Sequence, residues 1–303
     1  MNTTAFRQRL KPWILPIAMV TGLLCHSYIS YVSFMTQWLI FLMLFITFCR
    51  IRPAEIRMNP MMIWLLAVQV GGAMLLYALV NPLSHDVAQG VFICVFCPTA
   101  TAAPVITAAL GGHLPRVVAY SLLSNIAVAV LAAPLLSVVG DSQVAVAESM
   151  TAIAAKVFPL IIIPLAGALL LRRLAPKVHS AIATKQGISF YVWALAVIIA
   201  IGNSVEFILR EPASKIPEII VLALAAGVVC IAQFLTGRRI GRKYGDRISA
   251  AQGLGQKNTV LAIWFALTYL NPIVSVGPAA YIAWQNTINS AQLYLRQRRT
   301  NKP

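Results

Sequence analysis

Ten separate stretches of about twenty mostly apolar residues run through this chain, each long enough to cross the roughly 30 Å hydrocarbon core of a bilayer as a helix. They lie near residues 11–29, 31–49, 61–80, 87–110, 116–139, 150–171, 188–209, 217–237, 248–270 and 273–295. With 59% hydrophobic and only 11% charged residues, the 303-residue chain carries more apolar surface than a soluble core takes up. Hydrocarbon offers no partner to backbone N–H and C=O groups, so such runs fold as helices. The fold class is therefore an all-α integral membrane protein with ten transmembrane helices.

The net charge of +16 follows this membrane topology and does not point to a nucleic acid. Once the runs are marked, twenty of the 24 Lys and Arg residues fall on one face, Arg7, Arg50, Arg116, Arg172, Arg238 and Arg296 among them. The other face receives only Arg210 and Lys215, while Lys156 and Lys257 lie inside runs. Lys and Arg are enriched on the cytoplasmic side, so both termini are expected there, as an even span count requires. The first run follows a basic start, but Leu24 before Cys25 is a poor fit to a small-residue cleavage site, so the run reads as a retained helix. All five cysteines lie in or at the ends of runs, which disfavours a disulfide framework. Cys94 and Cys97 form a CxxC in an apolar setting without a His or second pair, and read as packing thiols. No metal or cofactor is expected. Loops are short, the longest near 172–186, so any chemistry is expected inside the membrane. This economy suits a bacterial inner membrane.

Ten spans divide into two groups of five, residues 1–140 and 141–303. An odd number per group makes the second enter from the opposite side, which permits an inverted repeat, and matched helix breaks are the sequence sign of one. The fourth span contains Pro98 and Pro104, which remove two backbone donors near mid-span. The fourth span of the second half contains Gly253, Gly255 and Lys257 at a corresponding depth. Lys257 lies about 17 Å along the helix from Asp246, near the bilayer centre. A charge there costs roughly 2.5–3.5 kcal/mol on insertion scales, so it marks a functional site by default. Each half-helix after a break turns its positive N-terminal end toward the centre, and two such ends with Lys257 form a pocket suited to a small anion. Thr99, Thr101, Thr107, Gln256, Asn258 and Thr259 are the candidate ligands beside Lys257, with Gln252 flanking the ninth-span break. Gln285, Asn286 and Asn289 repeat at helical spacing on the tenth span and read mainly as interhelical hydrogen-bonding groups.

Cys97-Pro98-Thr99-Ala100-Thr101-Ala102-Ala103-Pro104, with Ala133-Pro134-Leu135-Leu136 downstream, resembles the fourth and fifth helices of the bile acid:sodium symporter family. Gly255-Gln256-Lys257-Asn258, Asn271-Pro272, Gly277-Pro278-Ala279-Ala280 and Trp284-Gln285-Asn286 resemble its ninth and tenth. The resemblance implies two inverted five-helix repeats, a panel and a core domain, and broken helices 4 and 9 that cross. It also implies sodium-coupled uptake of organic anions. The family's cation-site positions, however, fall here on Gln252 in place of an acidic residue, on Ala103 and Pro104 in place of Ser-Asn, and on Ile126 and Val130 in place of hydroxyls. Only Gln69, matched loosely, and Gln256 keep the pattern. None of the eight acidic residues lies mid-span, so sodium binding is not expected.

Lys257 stands where the family motif has an asparagine beside the crossover. Its ammonium is expected to supply covalently the positive charge that bound sodium gives elsewhere, making a secondary transporter of a small organic anion that works without sodium. Facilitation, exchange and proton coupling stay open, as do the anion and the oligomeric state. The alternatives are a sodium-coupled organic anion or bile acid symporter and a non-transporting sensor of the same fold. An enzyme is disfavoured because no mid-span Asp, Glu or His is present.

Overall fold

The computed structural model describes residues 17–49, 58–100, 102–140, 146–184, 186–210 and 212–300. Thr101, the Glu55, Asp141 and Glu211 carboxylates, Arg7 and Arg50 lie outside them, as do the side chains of Lys156, Arg298 and Arg299. Helix dominates, and no strand occurs among the described residues.

Helical residues 17–24, α1, are separated by a turn at Cys25 from α2, His26–Ile29. α3, Met35–Cys49, and α4, Pro60–Val80, follow on the second and third runs. Asn59 starts α4 by accepting from Met61 N with its side chain at 3.0 Å, and Pro60 sits where a missing N–H costs nothing. The fourth run divides into α5, His85–Phe96, and α6, Ala103–Ala109. α7, Leu114–Val139, and α8, Val146–Leu174, are long and retain internal prolines. α10, Gln186–Arg210, and α11, Ile216–Lys243, take the seventh and eighth runs. The ninth run divides into α12, Arg247–Gly255, and α13, Thr259–Tyr269, and α14, Val276–Thr300, is the last described helix.

Among the described residues, Pro60–Val80, Leu114–Val139 and Ala213–Lys243 are each long and apolar enough to cross a membrane alone. α5 and α13 are apolar but have only 12 and 11 residues, about half a bilayer each at 1.5 Å per residue. The distribution of polarity is that of a protein dissolved in lipid. Trp64, Leu75, Leu79 and Val228 are exposed, whereas Gln69, Gln89, Gln252, Gln256 and Lys257 are buried. Hydrocarbon accepts the first set at no cost, and the second must find partners inside.

One expectation is corrected. The stretch near 172–186 is not simply a loop, because Pro176–Thr184 forms a further helix, α9, with no buried residue. Pro176 suits a first helical position, and Val178 with Ile182 four residues on makes one side apolar.

The half-helices are fastened at their outer ends. Asp246 caps α12 by accepting from Ser249 N at 3.1 Å and pairs with Arg116 Nη1 of α7 at 3.1 Å. Ser249 Oγ also accepts from His113 N at 2.8 Å. At the start of α5, Asp86 accepts from Asn271 Nδ2 at 2.9 Å and Gln89 Oε1 accepts from Asn271 N at 3.1 Å. In both places a carboxylate at the start of the half-helix, the Asp246 cap of α12 or the first-turn Asp86 of α5, and the residue three positions later hold the chain that leaves the opposite half-helix.

Candidate functional site

α5 stops because proline follows it. Cys97 at its end takes φ −53° and ψ 147°, the extended form favoured before Pro98. Pro104 lies in the first turn of α6, where its missing N–H is harmless. Pro98 therefore opens a short extended segment, described as far as Ala100, that runs antiparallel to a second one, with Thr99 bridged to Lys257. Ala100 N donates to Gln256 O at 2.9 Å and Asn258 N donates to Pro98 O at 2.8 Å. Two broken helices thus cross through a two-stranded contact that satisfies backbone groups in a lipid-excluded interior.

The second break is placed differently from the expectation. Gly253 and Gly255 are not the unwound residues, since both belong to α12 and the extended segment is Gln256–Asn258. The glycines are needed for close packing. A Cβ on Gly253 would lie 2.8 Å from the Tyr120 ring, and one on Gly255 2.5 Å from the Phe234 ring. The signal that ends α12 is Asn258, which starts α13 by accepting from Leu261 N with its side chain at 3.3 Å.

Breaking a helix leaves the last carbonyls without intrahelical donors, and at the end of α5 each finds one. Ile93 O accepts from Cys97 N at 3.1 Å. Cys94 O accepts from Gln233 Nε2 at 3.2 Å, Val95 O from Lys257 Nζ at 2.7 Å, and Phe96 O from Gln69 Nε2 at 2.8 Å. Lys257 is 1% exposed, and its Nζ lies at the negative end of the α5 dipole, where positive charge is favoured. The end of α12 is treated in the same way with neutral groups. Gly253 O accepts from Thr99 Oγ1 at 2.7 Å, Gly255 O from Tyr281 OH at 2.8 Å, and Gln252 O from Gln256 N at 3.1 Å.

The bonds come in matched pairs. Thr99 reaches the carbonyl four residues before Lys257, and Lys257 reaches the carbonyl four residues before Thr99. Thr99 N donates to Ser124 Oγ of α7 at 3.2 Å, and Lys257 N donates to Gln285 Oε1 of α14 at 3.0 Å. Four residues before each acceptor stands a buried tyrosine bonded to a glutamine. Tyr120 OH donates to Gln69 Oε1 at 2.8 Å, and Gln233 Nε2 donates to Tyr281 OH at 2.9 Å.

The other candidates separate. Gln256 Nε2 donates to Gln252 Oε1, and Gln252 Nε2 donates to Gln292 Oε1 at 3.0 Å, so a line of amides runs along α12 to α14. Gln69 joins the crossover as a cap of α5. Asn258 Nδ2, Thr259 Oγ1 and Thr107 Oγ1 are buried without a partner among the described residues. Thr107 stands apart from the crossing, against Gly112 near Ile248 and Ser249 at the outer start of α12. Ala103 and Pro104 are buried at the start of α6, while Ile126 is half-buried and Val130 exposed. Tyr120, Ser124, Gln233, Tyr281 and Gln292 are site residues that the sequence reading passed over. The repeated Tyr with a polar residue four positions later, in the fifth and tenth spans, was the available signal.

The model of the Sodium Bile acid symporter family matches residues 15–211. The chain belongs to this family. No curated protein matches it as a relative. As a member of the sodium bile acid symporter family, the chain is a multi-pass membrane protein of the bile acid and organic anion transporter type, and the family's members are transporters rather than enzymes. The matched stretch holds the first break with Pro98 and Thr99, and the second break with Lys257 lies beyond its end.

Proposed function

We propose that the protein is a secondary transporter of a small organic anion that needs no sodium, with Lys257 supplying the charge of a bound cation. The observation that carries the reading is the bond from Lys257 Nζ to Val95 O at the end of α5. A covalently attached ammonium neutralises the dipole of the broken helix where the two extended segments meet. Around it the residues that would ligate sodium are spent on each other: Gln256 donates to Gln252, Gln252 to Gln292, and Gln69 caps α5. The described carboxylates Asp86, Glu148, Glu218 and Asp246 stand in first turns or at a cap, and Glu206 lies one turn from the end of α10.

The matched bonds of Thr99 with Lys257, Ser124 with Gln285 and Tyr120 with Tyr281 support ten spans arranged as two inverted five-helix repeats, 1–140 and 141–303. On this reading the crossing half-helices belong to a core domain that moves against a panel domain. The anion site is formed at the start of α13, where the Asn258 amide and the Thr259 hydroxyl are buried donors without a protein partner. A buried donor left empty costs about 1–3 kcal/mol, which a carboxylate or sulfonate would recover. Thr99 and Gln256 border the same crossing, and the field of Lys257 favours negative charge there. With the basic loops in the cytoplasm, both termini are cytoplasmic, in a bacterial inner membrane.

The test is uptake by proteoliposomes of labelled small carboxylates, sulfonates and bile acids, with sodium replaced by potassium or choline at fixed pH. Equal uptake in all three cations supports the reading. A steep sodium requirement would show the sodium-coupled symporter, and binding without uptake would show a sensor.

A further inference from the structure

α11 presents two opposite faces. Leu222, Ala226, Gln233, Gly237 and Gly241 are buried on one. Val221, Leu224, Val228, Ile231 and Leu235 are exposed on the other, between 46% and 68%, at alternating spacings of three and four that make one continuous stripe. In a membrane protein such a stripe faces acyl chains. The same spacing continues beyond it to Arg238 and Arg242, with Arg239 and Lys243 beside them, all exposed. Arg242 lies seven residues, about 10 Å, past Leu235, the distance from acyl chain to headgroup. Among the described residues none of these four cations has a carboxylate partner. The neighbouring Asp246 is 7% exposed and turned inward to Arg116.

We propose that this end of α11 is a binding site for a net-anionic phospholipid, whose phosphate diester lies between Arg238 and Arg242 and whose acyl chains lie along Leu235, Ile231 and Val228. Guanidinium groups match phosphate oxygens in charge and in bidentate geometry. A zwitterionic headgroup brings an ammonium into a cluster of four cations, so net negative charge sets the preference. A second copy of the chain is disfavoured, because it would bring the same unpaired cations against each other. The inference rests on membership of a membrane family and is independent of which anion is carried.

The test titrates the purified full-length chain in mild detergent with phosphatidylglycerol or phosphatidylcholine of the same acyl chains, read by native mass spectrometry. The parent should retain phosphatidylglycerol preferentially. The Arg238→Gln/Arg242→Gln variant should lose that preference by roughly tenfold, while Arg172→Gln/Arg173→Gln, at the end of α8, keeps it. Arg238→Lys/Arg242→Lys preserves the charge and should retain most of the bound lipid, which separates the site from a general loss of fold. Equal retention of both lipids by the parent, undiminished phosphatidylglycerol in the Gln variant, equal loss in the Lys and Gln variants, or a dimer that excludes lipid would each overturn the proposal.

Discussion

At the scale of single residues, the account turns on what Lys257 touches. Lys257→Met nearly fills the volume but leaves the Val95 carbonyl without its donor, at a cost of about 1–3 kcal/mol. We expect a lower melting temperature with the fold retained, and uptake lost; undiminished uptake would remove Lys257 from the mechanism. Lys257→Arg keeps the charge but cannot cycle a proton in the accessible range, so retained uptake identifies a permanent charge and lost uptake a proton-exchanging one. Gly255→Ala drives a methyl into the Phe234 ring and should destabilise by about 1–3 kcal/mol, read from thermal unfolding. Lys257 stood out in the sequence because a charge amid apolar residues is rare. Its acceptor was not, since a backbone carbonyl has no sequence signature. The glycines were misread for a related reason: sequence marks a glycine but does not say whether it bends the backbone or admits a neighbouring ring.

At the scale of elements, the half-helices depend on partners at both ends. Asp246→Ala removes the α12 cap and the pair with Arg116. Caps of this kind contribute about 1 kcal/mol, so unfolding should shift to lower temperature, with early hydrogen exchange at the start of α12. On the other side Lys215 bonds Glu218 at 2.6 Å and lies 3.7 Å from Asp86. The Glu218 hydrogen bond, then the charges of Glu218 and Asp86, hold its pKa above the ordinary lysine range. A raised pKa in the folded state means the contribution is complete below that range and is lost only as pH rises through the raised value. This contact should therefore leave unfolding insensitive to pH near neutrality. Pro98 and Pro104 located the first break because proline constrains the backbone at its own position and the one before. The second break, without proline, was expected at the glycines and lies at Gln256–Asn258. α9 was hidden within a loop by its short length and its many polar residues.

At the scale of the whole molecule, an all-helical membrane fold followed from apolar runs alone, because lipid leaves backbone groups so few solutions. The pairing of Thr99 with Lys257 through mutual carbonyls needed coordinates, since 158 residues separate them and neither bond is foreshadowed by local pattern. If the crossover is one preassembled unit with its own cation, sodium has no binding free energy to add to it. Thermal unfolding of the purified protein, titrated with sodium chloride against choline chloride at constant ionic strength, tests this most directly. A ligand that binds the folded state at a hundred times its dissociation constant stabilises by about 2.7 kcal/mol. The account predicts coincident unfolding curves in the two salts for the parent protein. A melting temperature that rises with sodium and not with choline would contradict it.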